Sequence, residues 1–364
     1  MIHTGANVIR NSSEPLYEQL YRFLLEEILC GHIPAGGKLP GMTQLARTYG
    51  VSTITVNQAL DKLIEDGYCL RRPKKGTFVT DCRNPVRREK SGTIILFSTS
   101  VNSEIYLVDT PFYTHLRHTA ENFPQANLLV ISGPQAFSQL TEQLDHNRSI
   151  IGVIIIAINV FERLLELVGN YPGLPFVLLN YQYPEFEKIA PANLRGVFND
   201  EFSGGYTAAS ELFALGAKEI GVIQYGVGDS NYRLRLQGFL QAHVDHGFVF
   251  KETNLCNIDS VLPPMERGYN GMGVLLSRNP RLDAVFCIND ILAVGAVRFL
   301  KLSPAHHDLL IIGYDNHLPE LHIANHFPTI AVNTAAMSSA AVRMLLTPEL
   351  YHCKQLFISP RLVR

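Results

Sequence analysis

The sequence predicts an α/β protein in two parts: an N-terminal winged helix-turn-helix, and a two-lobed body built on two parallel sheets. Three observations predict it. Between Leu39 and Val79 a short helical stretch, a glycine turn and a second helical stretch run into a hairpin that carries four cations. From Thr93 onward short apolar runs alternate with amphipathic helices, the pattern of buried parallel strands covered on both faces. Residues 81–92 between them carry Arg83, Arg87, Arg88 and Lys90 with almost no apolar content, the composition of a linker. The domain boundaries that follow are 1–80, 81–92 and 93–364.

Pro15 to Cys30 reads as an amphipathic helix. Ser12 or Ser13 can cap it, Pro15 suits its first turn and Gly31 stops it. Its apolar stripe is Leu16, Leu20, Phe23, Leu24 and Ile28. A second helix spans about Thr43 to Tyr49 and ends at Gly50. The third is the best marked. Ser52 stands at the N-cap, and Val51 and Val56 fall at the spacing of a hydrophobic staple. Val56, Leu60, Leu63 and Ile64 then recur at helical period, and Gly67 ends the run. Two helices joined by a tight glycine turn make a helix-turn-helix. Tyr68–Leu70 and Thr77–Val79 flank Arg71-Arg72-Pro73-Lys74-Lys75-Gly76, which is a wing: two short strands and a cationic turn.

The face of the third helix left outside carries Thr53, Ile54, Asn57, Gln58 and Asp61. It is short, polar and nearly uncharged, whereas a merely solvated face normally carries Lys and Glu. Asn and Gln can pair with two edge atoms of adenine in the major groove. The wing cations suit phosphates or the minor groove. Double-stranded DNA is the partner this head implies. The contacts expected are Lys38, Thr43, Ser52, Thr53, Thr55, Asn57, Gln58, Arg71, Arg72, Lys74, Lys75 and Gly76. The alternative is a small helical subdomain with a solvated hairpin, but this order of elements serves no obvious packing purpose.

Pro15-Leu16-Tyr17, Gly31, Gly37-Lys38-Leu39-Pro40, Leu45-Ala46, Gly50-Val51-Ser52, Thr55-Val56, Ala59-Leu60, Leu63, Gly67 and Gly76-Thr77-Phe78-Val79 form a recognisable set. In these residues the stretch from about Pro15 to Thr80 resembles the winged-helix domain of the GntR family of bacterial transcription factors. Thr43, Thr53 and Asn57 stand where members of that family often carry DNA-contacting arginines, so the family's usual operator is not implied.

Composition narrows the remaining classes. The apolar stretch Ile150–Ile158 is too short to span a bilayer. The first residues are polar and lack a signal peptide's apolar run. The six cysteines, at 30, 69, 82, 256, 287 and 353, form no CxxC pair, as expected of reduced thiols in a cytoplasmic protein. Charge is uneven: 13 Lys/Arg against 9 Asp/Glu in residues 1–92, and 18 against 24 beyond. A basic end on an acidic body fits a DNA-reading module attached to something else. No dinucleotide loop, GxSxG or HExxH occurs. His115/His118 and His322/His326 have helical spacing but no third ligand beside them. No catalytic residue, metal or cofactor is expected.

In the body the strands expected are Ile94–Phe97, Leu128–Ile131, Gly152–Ile156, Phe176–Leu179, Ile220–Ile223, Ala284–Ile288 and Leu309–Ile312. Helices between them include Phe112–Asn122, Ser203–Leu215, Leu234–His246, Gly268–Ser277 and Asp290–Leu300. Seven strands exceed what one small doubly wound domain needs. Two lobes with a cleft at the strand carboxyl ends follow, and such clefts take ligands. The chain also carries Thr110-Pro111-Phe112-Tyr113, Leu174-Pro175-Phe176-Val177-Leu178-Leu179-Asn180, Asn199-Asp200, Gly204-Gly205-Tyr206-Thr207-Ala208-Ala209 and Arg233–Phe239. Asp283–Asp290, Gly313-Tyr314-Asp315-Asn316 and Pro360–Val363 follow in order. In these residues Thr93–Arg364 resembles the effector domain of LacI/GalR repressors, itself similar to periplasmic sugar-binding proteins. The resemblance implies three lobe crossings, placed near Asn199, Asn316 and Thr329.

Arg235 and Asp290 each open a helix after a strand, so both should face the cleft. A guanidinium fork and a carboxylate together can satisfy a sugar diol. The resemblance makes Arg235 and Asp290 effector-binding, with Asn180 as a third position and Phe112 and Tyr113 as ring faces from the other lobe. A structural ion pair is the alternative for Arg235 and Asp290, and plain core for the two rings. Asn289 reads as a helix cap. The whole then predicts a homodimeric transcriptional regulator, a repressor by the commoner logic of this architecture, governed by a monosaccharide-like effector. A cytoplasmic sugar-binding protein and an enzyme with a DNA-targeting domain are the alternatives.

Overall fold

A computed structural model describes residues 15–29, 33–34, 36–65, 68–72, 75–79, 92–99, 112–119, 126–157, 161–225, 230–258, 262–303, 309–317, 327–346 and 353–364. The linker expected at 81–92 lies outside the described residues but for Gly92, as do Lys74 and His322/His326.

Three helices form the head: α1 (Leu16–Leu29), α2 (Met42–Tyr49) and α3 (Thr53–Glu65). Gly50 adopts the left-handed φ of 65° that closes α2, with its N–H on the Ala46 carbonyl. Ser52 Oγ accepts the Thr55 N–H at 3.1 Å, the cap read from the sequence. Leu20, Leu24, Leu45, Val56, Leu60 and Leu63 are buried together. The hairpin pairs β1 (Cys69–Arg72) with β2 (Gly76–Val79), Cys69 opposite Val79 and Arg72 opposite Gly76. A third short pairing, Lys38 with Phe78, ties the approach to α2 onto the wing.

The first lobe runs β3 (Gly92–Ser98), α4 (112–119), β4 (Ala126–Ser132), α5 (Ala136–His146), β5 (Ile150–Ala157), α6 (Phe161–Asn170), β6 (Phe176–Asn180), α7 (Phe186–Ile189) and β7 (Leu194–Asn199). The second runs α8 (Glu201–Ala214), β8 (Ile220–Gln224), α9 (Ser230–Asp245), β9 (Leu255–Asn257), α10 (Pro264–Arg278), β10 (Ala284–Cys287), α11 (Asp290–Lys301), β11 (Leu310–Asp315) and β12 (Thr329–Ala331). Then come α12 (Thr334–Leu346), β13 (Gln355–Ile358) and β14 (Arg361–Val363). One sheet has the order β13-β7-β6-β5-β3-β4, the other β14-β12-β11-β10-β8-β9. Every described neighbour pair in the body is parallel except β12 with β14. Among the described residues no helix is long and apolar enough to cross a membrane.

The first lobe crossing lies at Asn199–Asp200, as expected. Of the other two, one falls near Thr329, just after β12, and the other does not fall near Asn316. β12 pairs in parallel with β11, Thr329 opposite Gly313, so both positions belong to the second lobe. The chain leaves that lobe only after Ala331, when α12 packs on β5, β6 and β7, and it returns between β13 and β14. A pair of hydrogen bonds reinforces this pairing: the Asn316 N–H and the Thr329 hydroxyl both donate to Asp290, at 2.8 and 2.7 Å.

One close approach positions the site. A Cβ on Gly205 would stand 1.8 Å from the Arg235 carbonyl oxygen, and one on Gly238 would stand 1.9 Å from that of Phe202. Backbone therefore meets backbone where α8 crosses α9, and this sets the start of α9 against the start of α8.

Candidate functional site

On the head, Thr43, Ser52, Thr53 and Gln58 are exposed, while Thr55 and Asn57 are half-buried. Asn57 is already engaged. Its Oδ1 accepts from Arg71 Nη2 at 3.2 Å and its Nδ2 donates to Asp61 Oδ2 at 2.7 Å. Arg71 also pairs with Asp61 at 2.8 Å. Strand alternation sends the next side chain the other way: the Arg72 guanidinium lies 5.0 Å from the Phe78 ring centroid. Gly76 (φ 113°) has no Cβ, and the Lys38 side chain occupies that space, so Lys38 joins Arg72 and the exposed Lys75 on the wing. Ile54 is 72% exposed in the middle of the α3 face. The sequence placed it on that face without giving it a role; a bare aliphatic group there fits the thymine methyl.

In the body the central group is Arg235, near the start of α9. Its Nε and Nη2 donate to the two Glu201 oxygens at 2.7 and 3.3 Å. Nη2 also meets Asp315 at 2.8 Å, and Nη1 donates to the Ile288 carbonyl at 2.8 Å. The Tyr314 ring lies 3.7 Å from the guanidinium. Burial alone would weaken the Arg235 charge, but the carboxylates of Asp315 and Glu201 outweigh it and hold the charge firmly on. Burial raises the Glu201 pKa even with Arg235 beside it. Glu201, Asp315 and Arg235 all belong to the second lobe, so this is an ion cluster within one lobe. The link to the other lobe is neutral: Asn199 Nδ2 donates to the Tyr314 hydroxyl at 3.0 Å.

Residues 108–318 match the family described as "Periplasmic binding proteins and sugar binding domain of LacI family", more than half of the chain. The chain belongs to that family. Residues 16–79 match "Bacterial regulatory proteins, gntR family". Among characterised relatives, an arabinose metabolism transcriptional repressor of Halalkalibacterium halodurans is 23% identical over 352 residues, covering 92% of this chain and 89% of its own. A transcriptional repressor PurR of Mannheimia succiniciproducens is 26% identical over 315 residues, covering 83% and 89%. The fold is shared with the solved transcriptional regulator CelR–cellobiose complex (TM-score 0.62, 20% identity, 90% of this chain and 99% of that one). It is shared also with the Escherichia coli repressor ascG (TM-score 0.61, 18% identity, 75% and 97%).

Within this LacI-family body Asp290 stands beside the Arg235 cluster. It shares Asp315 as a charged neighbour, but its own two oxygens are taken by Thr329 and Asn316. Burial, and then the charge of Asp315, push its carboxyl up to about 8. A buried carboxyl that accepts a hydrogen bond on each oxygen ties β11 to β12, a structural task the sequence did not reveal. Asn180 ends β6 in a left-handed turn (φ 75°). Its carbonyl accepts from Asn231 Nδ2 at 3.1 Å, and Asn231 Oδ1 accepts the Gln182 N–H at 3.3 Å. The Ser230 hydroxyl donates to the Gln182 carbonyl. The start of α9 thus clasps the loop after β6 across the cleft. At its rim a recess of about 280 Å³ opens between Glu185, Lys188 and Arg233. A second recess, about 410 Å³ between α8 and α11, is apolar and lined by other residues. Phe112 is wholly buried in the core and Tyr113 packs half-buried against it, so the Phe112 ring presents no open face. Asn289 caps α11 on Leu292, as read, and also donates to the hydroxyls of Tyr225 and Tyr232. Glu201, Tyr314, Asp315 and Asn231 were missed as site residues. The first three lie within or beside stretches quoted for the family resemblance, which was the available signal.

Proposed function

We propose that the protein is a transcriptional regulator, acting as a repressor, whose winged head binds operator DNA under the control of a small polyhydroxylated effector held between the lobes. The observation that carries this is the presence in one chain of an exposed polar helix face with a cationic wing, and of a buried guanidinium–carboxylate cluster beside an inter-lobe clasp. The first suits base edges and phosphates. The second suits a ligand that presents paired hydroxyls. The relatives named as repressors support the same reading.

Asp315, Arg235, Asn231 and Asn180 are the effector contacts in this reading, with Asp290 and Glu201 holding them. The protein works in the cytoplasm as a homodimer, since two heads address two half-sites. Effector binding changes the lobe angle and so the spacing of the heads. Coupling of this kind is typically about 1–3 kcal/mol, or roughly 5–150-fold in affinity. Nothing in the site calls for a reaction. The test has two arms on the full chain. Selection from random duplexes should recover one sequence. A thermal-shift screen of monosaccharides should find one that stabilises the protein by about 2.7 kcal/mol at 100 times its Kd. Failure to enrich any duplex refutes the reading, whatever the screen returns.

A further inference from the structure

Among the described residues, α1 of the head meets the body at the lobe crossings. α1 packs against α12 and β13. α12 follows the second crossing and β13 precedes the third. At the first crossing Arg22 Nη2 of α1 meets Asp200 Oδ2 at 3.1 Å, and the two side chains keep only 11% and 13% of their exposure. Asp200 is not a stray surface acid. It caps α8, accepting the Ser203 N–H at 3.0 Å and the Ser203 hydroxyl at 2.8 Å, and its own N–H donates to the Ile358 carbonyl of β13 at 2.9 Å. Its neighbour Glu201 holds Arg235.

We infer that α1 is a docking surface whose partner is the crossing region of this same chain, with Arg22–Asp200 as the contact through which the head senses the lobe angle. The inference rests on the proposed regulator reading. An exposed pair would contribute little to such a coupling. This one is largely removed from water, so losing one partner leaves a poorly solvated charge behind. Asp200 stands at the crossing itself, where its side chain caps the second-lobe helix α8, whereas α12 and β13 belong to the first lobe. When the lobes rotate, the three supports of α1 cannot all stay in place. The head is therefore held in one orientation at one lobe angle and released or re-aimed at another. Docking leaves the reading face open, since Thr53, Ile54 and Gln58 remain exposed.

The test uses the full chain with Arg22→Gln, Asp200→Asn and the double variant. Asparagine keeps the helix cap while removing the charge. Hydrogen–deuterium exchange is followed in peptides covering α1, residues 199–203 and β13. Arg22→Gln should speed exchange at 199–203 and Asp200→Asn should speed it in α1. The double variant should add nothing to the larger single effect, with a coupling between about twofold and a hundredfold. Effects confined to the substituted element, or single effects that multiply in the double variant, overturn the proposal. If Arg22→Gln weakens the head itself, Asp200→Asn decides the matter from the body side. Duplex selection separates the two readings. A chain that selects an operator but shows no cross-exchange loses only the docking; one that shows cross-exchange but selects nothing loses the regulator reading.

Discussion

Arg235 is the position where the proposed effector contact and the stability of the fold meet. Arg235→Met removes the guanidinium and keeps most of the apolar stem. The Arg235 and Glu201 side chains retain 5% and 0% of their exposure, and Asp315 retains 11%. The substitution therefore strands two carboxylates where water scarcely reaches, and forfeits the stacking on Tyr314. Breaking a buried pair from one side costs about 3–5 kcal/mol. Set against the roughly 5–15 kcal/mol by which domains are stable, that is a large share. Urea unfolding followed by circular dichroism reads the loss directly. Two further results should accompany it. Glu201→Gln added to Arg235→Met should restore at least about 1 kcal/mol, because a neutral amide suffers far less from burial. The deficit should also shrink as pH falls. Without Arg235 the Glu201 pKa, already raised by burial, rises further, and a carboxyl raised on folding costs stability as pH increases. A cost under about 1 kcal/mol, unchanged by pH and by Glu201→Gln, would mean that the guanidinium is solvated in solution and the cluster reasoning is wrong.

Three other perturbations test separate parts. Asp290 keeps its proton to about pH 8 in the fold but only to about 3.8 in the free chain, so wild-type stability should fall with rising pH across that window, by at most about tenfold in the folding equilibrium per unit. Asp290→Asn should flatten that slope in pH-dependent denaturation; an unaltered slope would show that Asp290 is not the titrating group. Asn57→Ala should cost about 1–3 kcal/mol at one base position and relax operator choice, and an unchanged selected sequence would remove Asn57 from base reading. Lys75→Ala should weaken binding to all duplexes and reduce the salt slope by about one, whereas a wild-type slope would take the wing out of contact with phosphate.

The order of elements in the head was legible from sequence because each boundary there is local chemistry. Ser52 caps its own helix, Gly50 turns because it lacks a Cβ, and Gly76 allows the wing to bend. Seven body strands were legible for the same reason, as continuous apolar runs. β7 was not, since Arg195 and Gly196 interrupt it, and β9, β12, β13 and β14 are too short to stand out. The crossings and the site were decided by contacts between distant residues. Thr329 and Asn316 stay in the second lobe where β12 pairs with β11 and Asp290, distant in sequence, accepts from both. Sequence proposed Arg235 and Asp290 as two arms around a ligand. Only the tertiary structure could show that Glu201 and Asp315 already hold the first and that the second is a buried tie with both oxygens engaged. A side chain's type and spacing say what it can bond. Which partner it takes depends on which groups folding brings within about 3 Å of it and removes from water.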